Sequence, residues 1–258
     1  MQFDSRIASQ VHMITFVDPL VGIGLYAPDE AAQYARISRQ TMARWIWGDA
    51  KGEAVIQAQL AARGEDEKLV TFLDFVQALA IRSVRISTKT KFPLQKIRKA
   101  RIEATARYSL DFPLAARGHR IFIFGPREAP AKCEMVIEIG PSTDESTDRL
   151  LQLTGKKRGN LVLADIAEPF MEELEFGNSD YAERFTAFVH KDRPIVMDPR
   201  MRLGEPYLPS CGYTARALWD AYQSEGGIEH AAKAYGVDKE DVEAAYKFFD
   251  YLISDRAA

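Results

Sequence analysis

The apolar positions fall into blocks of different period. Ala27-Pro28-Asp29-Glu30 opens a helix well, with proline near the first helical position and acids in the first turn. The spacing carries this helix to about residue 35. Residues 36–38 read as a turn with Ser38 as N-cap. A second helix is predicted over 39–47 and is stopped by Gly48. Ala32, Ile37, Met42 and Trp45 are spaced to share one core, which makes this stretch a helix-turn-helix. Residues 52–68 are polar and mixed and read as a connection or weak helix. From 69 to 86 Phe72, Phe75, Val76, Leu79 and Ala80 repeat at helical spacing. Phe92-Pro93 breaks the pattern. A further helix over 93–108 turns Leu94, Ile97 and Ala100 inward and Lys96, Lys99 and Arg107 outward.

The second half mixes periods. Residues 121–124 and 135–139 read as strands joined by a loop with Pro126 and Pro130. Residues 141–148 form a polar turn, 161–163 a short strand and 166–176 a helix. The stretch 178–193 fits neither period. After a short strand at 195–197 come turns and three helices, over 214–223, 228–235 and 239–253. Glycines separate them, and Asp238 is placed to cap the last. The expected class is mainly α with small β elements (α+β). It comprises an N-terminal winged helix-turn-helix unit (22–140), a short β/α middle region (141–193) and a C-terminal trihelical, homeodomain-like bundle (194–258). Residues 1–23 are poorly patterned and read as an arm.

Composition narrows the class. The 258 residues are 47% hydrophobic, 28% charged and 10% aromatic, which suits packed cores and argues against disorder. No apolar run approaches a membrane span. The first nine residues lack a basic start and apolar stretch, and two cysteines, Cys133 and Cys211, cannot build a disulfide framework. A cytoplasmic protein is the expectation.

Net charge is only −3, but its distribution is uneven. Residues 1–110 hold 16 basic against 11 acidic side chains, and residues 111–258 hold 18 against 26. Nine basic residues fall between 79 and 107, opposed by Glu103 alone. Such a block is either a footprint for a phosphate backbone or a solvated helix face.

Several motifs carry a resemblance. Gly24-Leu25-Tyr26, Ala31-Ala32, Ile37-Ser38, Thr41 and Arg44-Trp45 resemble the opening helix-turn-helix of MerR-type regulators. Residues 72–76 and 92–100 resemble the second helical pair of that domain. Ile195-Val196-Met197-Asp198-Pro199-Arg200, Gly204, Pro206, Gly212, Thr214 and the run from Glu225 to Val242 resemble the domain-of-unknown-function 433 family. Glu205 and Tyr213 depart from that pattern. The order of parts is similar to long VapB-type antitoxins. The resemblance implies a homodimer that binds a PIN-domain ribonuclease toxin and represses its own operon.

Two helix-turn-helix units compete for DNA. In such motifs the first residues of the second helix reach base edges. The N-terminal copy offers Ser38, Arg39, Gln40 and Arg44, with Arg suited to guanine and Gln to adenine. Lys89, Lys91, Lys96 and Lys99 would contact phosphates. The C-terminal copy offers Lys239, Glu240, Asp241 and Glu243, and residues 220–258 hold nine acids against four bases. Operator DNA is therefore assigned to the N-terminal copy, and the C-terminal bundle becomes a dimer or partner module. Its aromatics, Trp219, Tyr222, Tyr235, Tyr246, Phe248, Phe249 and Tyr251, are expected to be mostly core. Arg193, Arg200 and Arg202 either contact the acidic site of a toxin or pair within the chain.

Catalytic signatures are missing. The histidines His12, His119, His190 and His230 are scattered, residues 155–159 lack the order of a phosphate-binding loop, and no nucleophile elbow occurs. No cofactor, metal or enzymatic role is expected. A regulator without a toxin, with residues 120–176 as sensor, and an oligomeric adaptor whose basic helices bind protein are the competing readings.

Overall fold

The structure, a computed structural model, describes residues 22–50, 52–56, 58–62, 68–87, 92–124, 129–139, 161–162 and 173–254. It is α+β, as the periodicity predicts: helical units at both ends, with two small sheets between them.

Local chemistry sets the first unit. Helix α1 (Pro28–Tyr34) begins on proline, and the Ala27 N–H donates to Glu30 Oε2 at 3.1 Å. Helix α2 (Arg39–Trp47) is capped by Ser38, whose Oγ accepts from the Thr41 N–H at 3.1 Å. Gly48 ends it at φ +77°, and a Cβ there would lie 2.8 Å from the Gly52 carbonyl. The chain then folds back under α2, so that Val55 and Ile56 both donate to the Trp45 carbonyl at 2.8 Å. The connection predicted over 52–68 contains a short helix, α3 (Gln59–Ala62).

Helix α4 (Phe72–Ser87) is the hub. Phe72, Leu73, Phe75, Val76, Ala78, Ala80 and Ile81 are all fully buried. Its start is closed by reciprocal bonds: the Asp74 N–H donates to Thr71 Oγ1 at 3.2 Å, and the Thr71 N–H to Asp74 Oδ2 at 3.5 Å. Helix α5 (Leu94–Tyr108) buries Ile97, Ala100 and Ala104 and half-buries Leu94. Arg101 is also buried, whereas Ile102 is exposed, so the inward face is broader and more mixed than the spacing implies.

Strands β1 (His119–Phe124) and β2 (Glu134–Ile139) pair antiparallel, with Ile121 opposite Ile137. A two-residue strand, β3 (Leu161–Val162), joins the other edge of β1. Most of the helix predicted over 166–176 lies outside the described residues. Its described end corrects the prediction: Leu174–Glu175 form strand β4, pairing with Phe185 and Arg184 of the undecided stretch. That stretch supplies β5 (Arg184–His190), which turns into β6 (Arg193–Met197) to complete a sheet ordered β4-β5-β6.

The three C-terminal helices match the predicted pattern: α6 (Ala215–Glu225), α7 (Ile228–Tyr235) and α8 (Lys239–Ser254). Helix α8 lies on β5 and β6. The two ends of the chain meet. Tyr34 of α1 stacks on Phe248 of α8, their ring centroids 6.3 Å apart, and Phe75 of α4 meets Phe185 of β5 at 5.8 Å. The Tyr26 hydroxyl donates to the Gly204 carbonyl at 2.9 Å in the interior. One apolar core therefore runs from α1 through α4 and the second sheet to α8.

Candidate nucleic-acid interface

Helix α2 divides cleanly by phase. Met42, Trp45 and Ile46 are buried, while Ser38, Arg39, Gln40 and Arg44 are all exposed. Burial of Trp45 agrees with its reading as core. The four predicted residues thus share one outward surface at the start and middle of the helix. Ser38 is committed to the cap, so its hydroxyl holds the helix start in shape. Arg39 lies 3.8 Å from Asp29 of α1, with both side chains largely in solvent. Arg44 lies 3.2 Å from Asp49 just beyond the helix. Exposed pairs of this kind contribute little to stability and exchange readily for another anion such as phosphate.

The turn following α2 borders an open depression of about 570 Å³ lined by Trp47, Gly48, Asp49, Ala50, Gly52 and Glu53. Its position is fixed from α5. Arg98 donates Nε–H to the Ala54 carbonyl at 2.8 Å and a further N–H to the Glu53 carbonyl. In the sequence Arg98 stands as one of the nine basic residues between 79 and 107. A carbonyl partner more than 40 residues away leaves no local signature.

The predicted phosphate contacts are dispersed. Lys89 and Lys91 lie outside the described residues. Lys96 is half-buried and meets Glu134 of β2 at 2.6 Å, and its ammonium lowers that carboxyl's pKa. Lys99 is exposed and faces Glu103 one turn on, at 3.7 Å. Of the arginines in the same block, Arg85 donates to the Phe92 carbonyl and Arg101 is buried. Arg85, Lys96 and Arg98 of the basic block therefore bond to other parts of the same unit. The turn between α1 and α2 carries Arg36 at φ +52°, with its guanidinium 3.8 Å over the Tyr251 ring of α8.

The second helix-turn-helix presents a different surface. The start of α8 faces β6: Arg193 meets Asp238 at 2.7 Å and Asp241 at 3.4 Å, and the Ser210 hydroxyl donates to Asp241 at 2.6 Å. Asp241 is buried and Glu243 pairs with Lys191 of the β5–β6 hairpin at 2.9 Å, whereas Lys239 is exposed. Arg200 sits between Asp198 at 3.0 Å and Glu183 at 2.8 Å, while Arg202 donates to the Gly212 carbonyl at 2.9 Å. All three candidate toxin-contacting arginines thus have partners within the chain. Within the bundle Trp219 pairs with Phe249 and Tyr222 with Tyr246, while Tyr251 pairs with Phe188 of β5. Phe248 and Phe249 are core, whereas Tyr235 and Tyr251 are exposed.

Among the described residues no group of three His, Cys, Asp or Glu is placed to hold a metal ion. His119 is fully buried, with Nδ1 3.0 Å from the Ala116 carbonyl, and burial pushes its pKa down to about 4. No helix among the described residues is long and apolar enough to cross a membrane.

No protein-family model matches the sequence. The chain is 21% identical over 235 residues to a Mycobacterium tuberculosis protein described as "Putative antitoxin VapB45", with 86% of this chain and 92% of that protein covered. The crystal structure of Rv2018 from the same organism has the same fold, with a TM-score of 0.57 at 19% identity, over 86% of this chain and 96% of that one. Across most of its length the chain is therefore distantly similar to a protein named as an antitoxin.

Proposed function

We propose that this protein is the antitoxin of a toxin–antitoxin pair and that it also binds DNA through α2. The observation that carries the DNA reading is the outward face of α2. Arg39, Gln40 and Arg44 project together from a capped helix whose opposite face is locked in the core. A helix of this kind enters the major groove with its first turns against base edges. The acidic start of α8 is unsuited to that role, because carboxylates repel phosphates. The likeness to an antitoxin over most of both chains supports the partner reading. The toxin implied by the resemblance is a PIN-domain ribonuclease, a metal-dependent nuclease. Two copies of the chain would place two α2 helices on half-sites one helical turn apart. The protein then acts by binding, without catalysis of its own.

The test is recovery of the tagged full chain from its native host, with mass spectrometry of near-stoichiometric partners, followed by a mobility shift on its own upstream DNA. The expected result is a ribonuclease retained through high salt and a sequence-dependent shift. A chain recovered alone as a dimer that shifts its upstream DNA would overturn the antitoxin half and leave a regulator. A shift that vanishes at moderate salt with no sequence preference would overturn the DNA half.

A further inference from the structure

Helices α1, α6 and α7 end in the same turn, and one of the three departs in the residue it uses. After α6, Gly226 adopts φ +76°, and the Gly227 N–H donates to the Tyr222 carbonyl at 3.2 Å. After α7, Gly236 adopts φ +66°, and the Val237 N–H donates to the Ala232 carbonyl at 3.0 Å. After α1, Arg36 adopts φ +52°, and the Ile37 N–H donates to the Ala32 carbonyl at 3.0 Å. Glycine is the usual residue at this left-handed position, because a Cβ there crowds the backbone. The turn closes on glycine after α6 and α7, so its backbone does not call for a side chain. Arginine after α1 is therefore explained by what its side chain touches.

That side chain reaches α8. The Arg36 guanidinium lies 3.8 Å from the centroid of the Tyr251 ring. One turn earlier on α8, Phe248 stacks on Tyr34, the last residue of α1. Residues three apart share a helix face, so one face of α8 takes both the end of α1 and the turn that follows it. The sheet braces both rings, with Phe188 of β5 at 5.9 Å from Phe248 and 5.3 Å from Tyr251. Ser38, the cap of α2, comes two residues after Arg36. A shift at Arg36 is thus carried into the first turn of α2, where Arg39 and Gln40 are exposed. Helix α8 itself holds four acidic against two basic side chains, which suits it poorly to a phosphate backbone.

We propose that Tyr251 of α8 is a positioning residue for DNA recognition: it holds Arg36 and so sets the angle at which α2 meets the major groove. The inference rests on the DNA reading of α2. Under it, the C-terminal bundle contributes to operator affinity without touching the operator. The contact exists only while ring and guanidinium are both present, so the two residues act as one unit. Bidentate pairing of Arg or Gln with a base depends on orientation, whereas attraction to phosphates does not. Loosening the turn therefore lowers specific binding and leaves non-specific binding as it was.

The experiment uses the full-length chain, its own upstream DNA and a random duplex of equal length, with affinities from quantitative mobility shifts over a salt series. Arg36→Gly keeps the left-handed turn and removes the side chain. Tyr251→Leu removes the ring, and Tyr251→Phe keeps it. The expected result is a loss of about threefold to tenfold in upstream-DNA affinity for Arg36→Gly and for Tyr251→Leu. Affinity for the random duplex and the salt dependence should not change. Tyr251→Phe should bind as wild type, and the double variant Arg36→Gly/Tyr251→Leu no worse than the weaker single variant. A merely structural role would lower the melting temperature and weaken both duplexes alike, which would overturn the proposal, as would losses that add in the double variant. A phosphate contact by Arg36 would also overturn it: Arg36→Gly would then reduce the salt slope by about one, with Tyr251→Leu at wild-type affinity. Wild-type affinity for Tyr251→Leu sinks the proposal and leaves the DNA reading intact. A wild-type chain without preference for its upstream DNA would instead overturn the DNA reading, and this inference with it.

Discussion

Asp74 illustrates how one side chain sets a pH dependence. It lies fully buried at the start of α4, with Oδ2 accepting from the Gln59 and Thr71 N–H groups. Its Oδ1 and both amide atoms of nearby Gln77 have no hydrogen-bond partner among the described residues. Burial pushes the carboxyl up to about 7 against the opposing pull of those hydrogen bonds. In the unfolded chain it returns to the ordinary carboxylate range. The folded state therefore holds the proton more tightly, so this group's penalty is absent below about pH 4 and grows until about pH 7. Asp74→Asn keeps the acceptor and removes the charge. We expect it to be more stable than wild type at pH 8 by on the order of a few kcal/mol, with the difference closing at pH 4. Urea midpoints at the two pH values check this, and a difference independent of pH would contradict it. Tyr26→Phe tests a second interior group. Loss of the hydroxyl leaves the Gly204 carbonyl unpaired and should cost about 1–2 kcal/mol of stability, read as a lower urea midpoint.

At the scale of elements, α2 was legible because its signals are local. Ser38 and Gly48 bracket it, and the phase of Met42 and Trp45 assigns the outward face. Gly48→Ala should destabilise the chain by about 1–3 kcal/mol, since the left-handed backbone and the Gly52 carbonyl both oppose a methyl group. Arg44→Ala should weaken specific operator binding by about 1–3 kcal/mol if Arg44 reads a base, whereas Lys99→Ala should lower affinity uniformly and flatten its salt dependence. A quantitative mobility shift at two salt concentrations separates the two. Strand β5 was not legible. Its hairpin turn is Lys191-Asp192, both at positive φ, without the Asn or Gly that marks such turns. An irregularity between Thr186 and Phe188 also interrupts its alternation. The short apolar stretch at Leu174 fits a helix and a strand equally by period, and only pairing with Phe185 decides it. In the candidate site, the helix face could be read from the sequence, but its ion partners could not. Lys96 and Glu134 are 38 residues apart and are joined only by the packing of α5 beside β2.

At the scale of the whole molecule, the two helical ends share one interior. Tyr34 stacks on Phe248, Arg36 covers Tyr251, and Phe75 meets Phe185. The full chain should therefore unfold in a single transition by calorimetry. A fragment of residues 22–140 should lack a cooperative transition and bind a hydrophobic dye, because it leaves Tyr26, Tyr34 and Phe75 without their cover. A fragment that melts sharply at the temperature of the full chain would show the two ends to be independent. The contact between Tyr34, Arg36 and α8 also bears on how such a chain diversifies. Parts that meet only through a linker can be exchanged by recombination, whereas these cannot. A C-terminal bundle grafted from another protein would have to bring a flat ring opposite Tyr34 and a second beneath Arg36, or the α1–α2 turn would lose its floor. The two ends are thus constrained to be inherited, and to change, together.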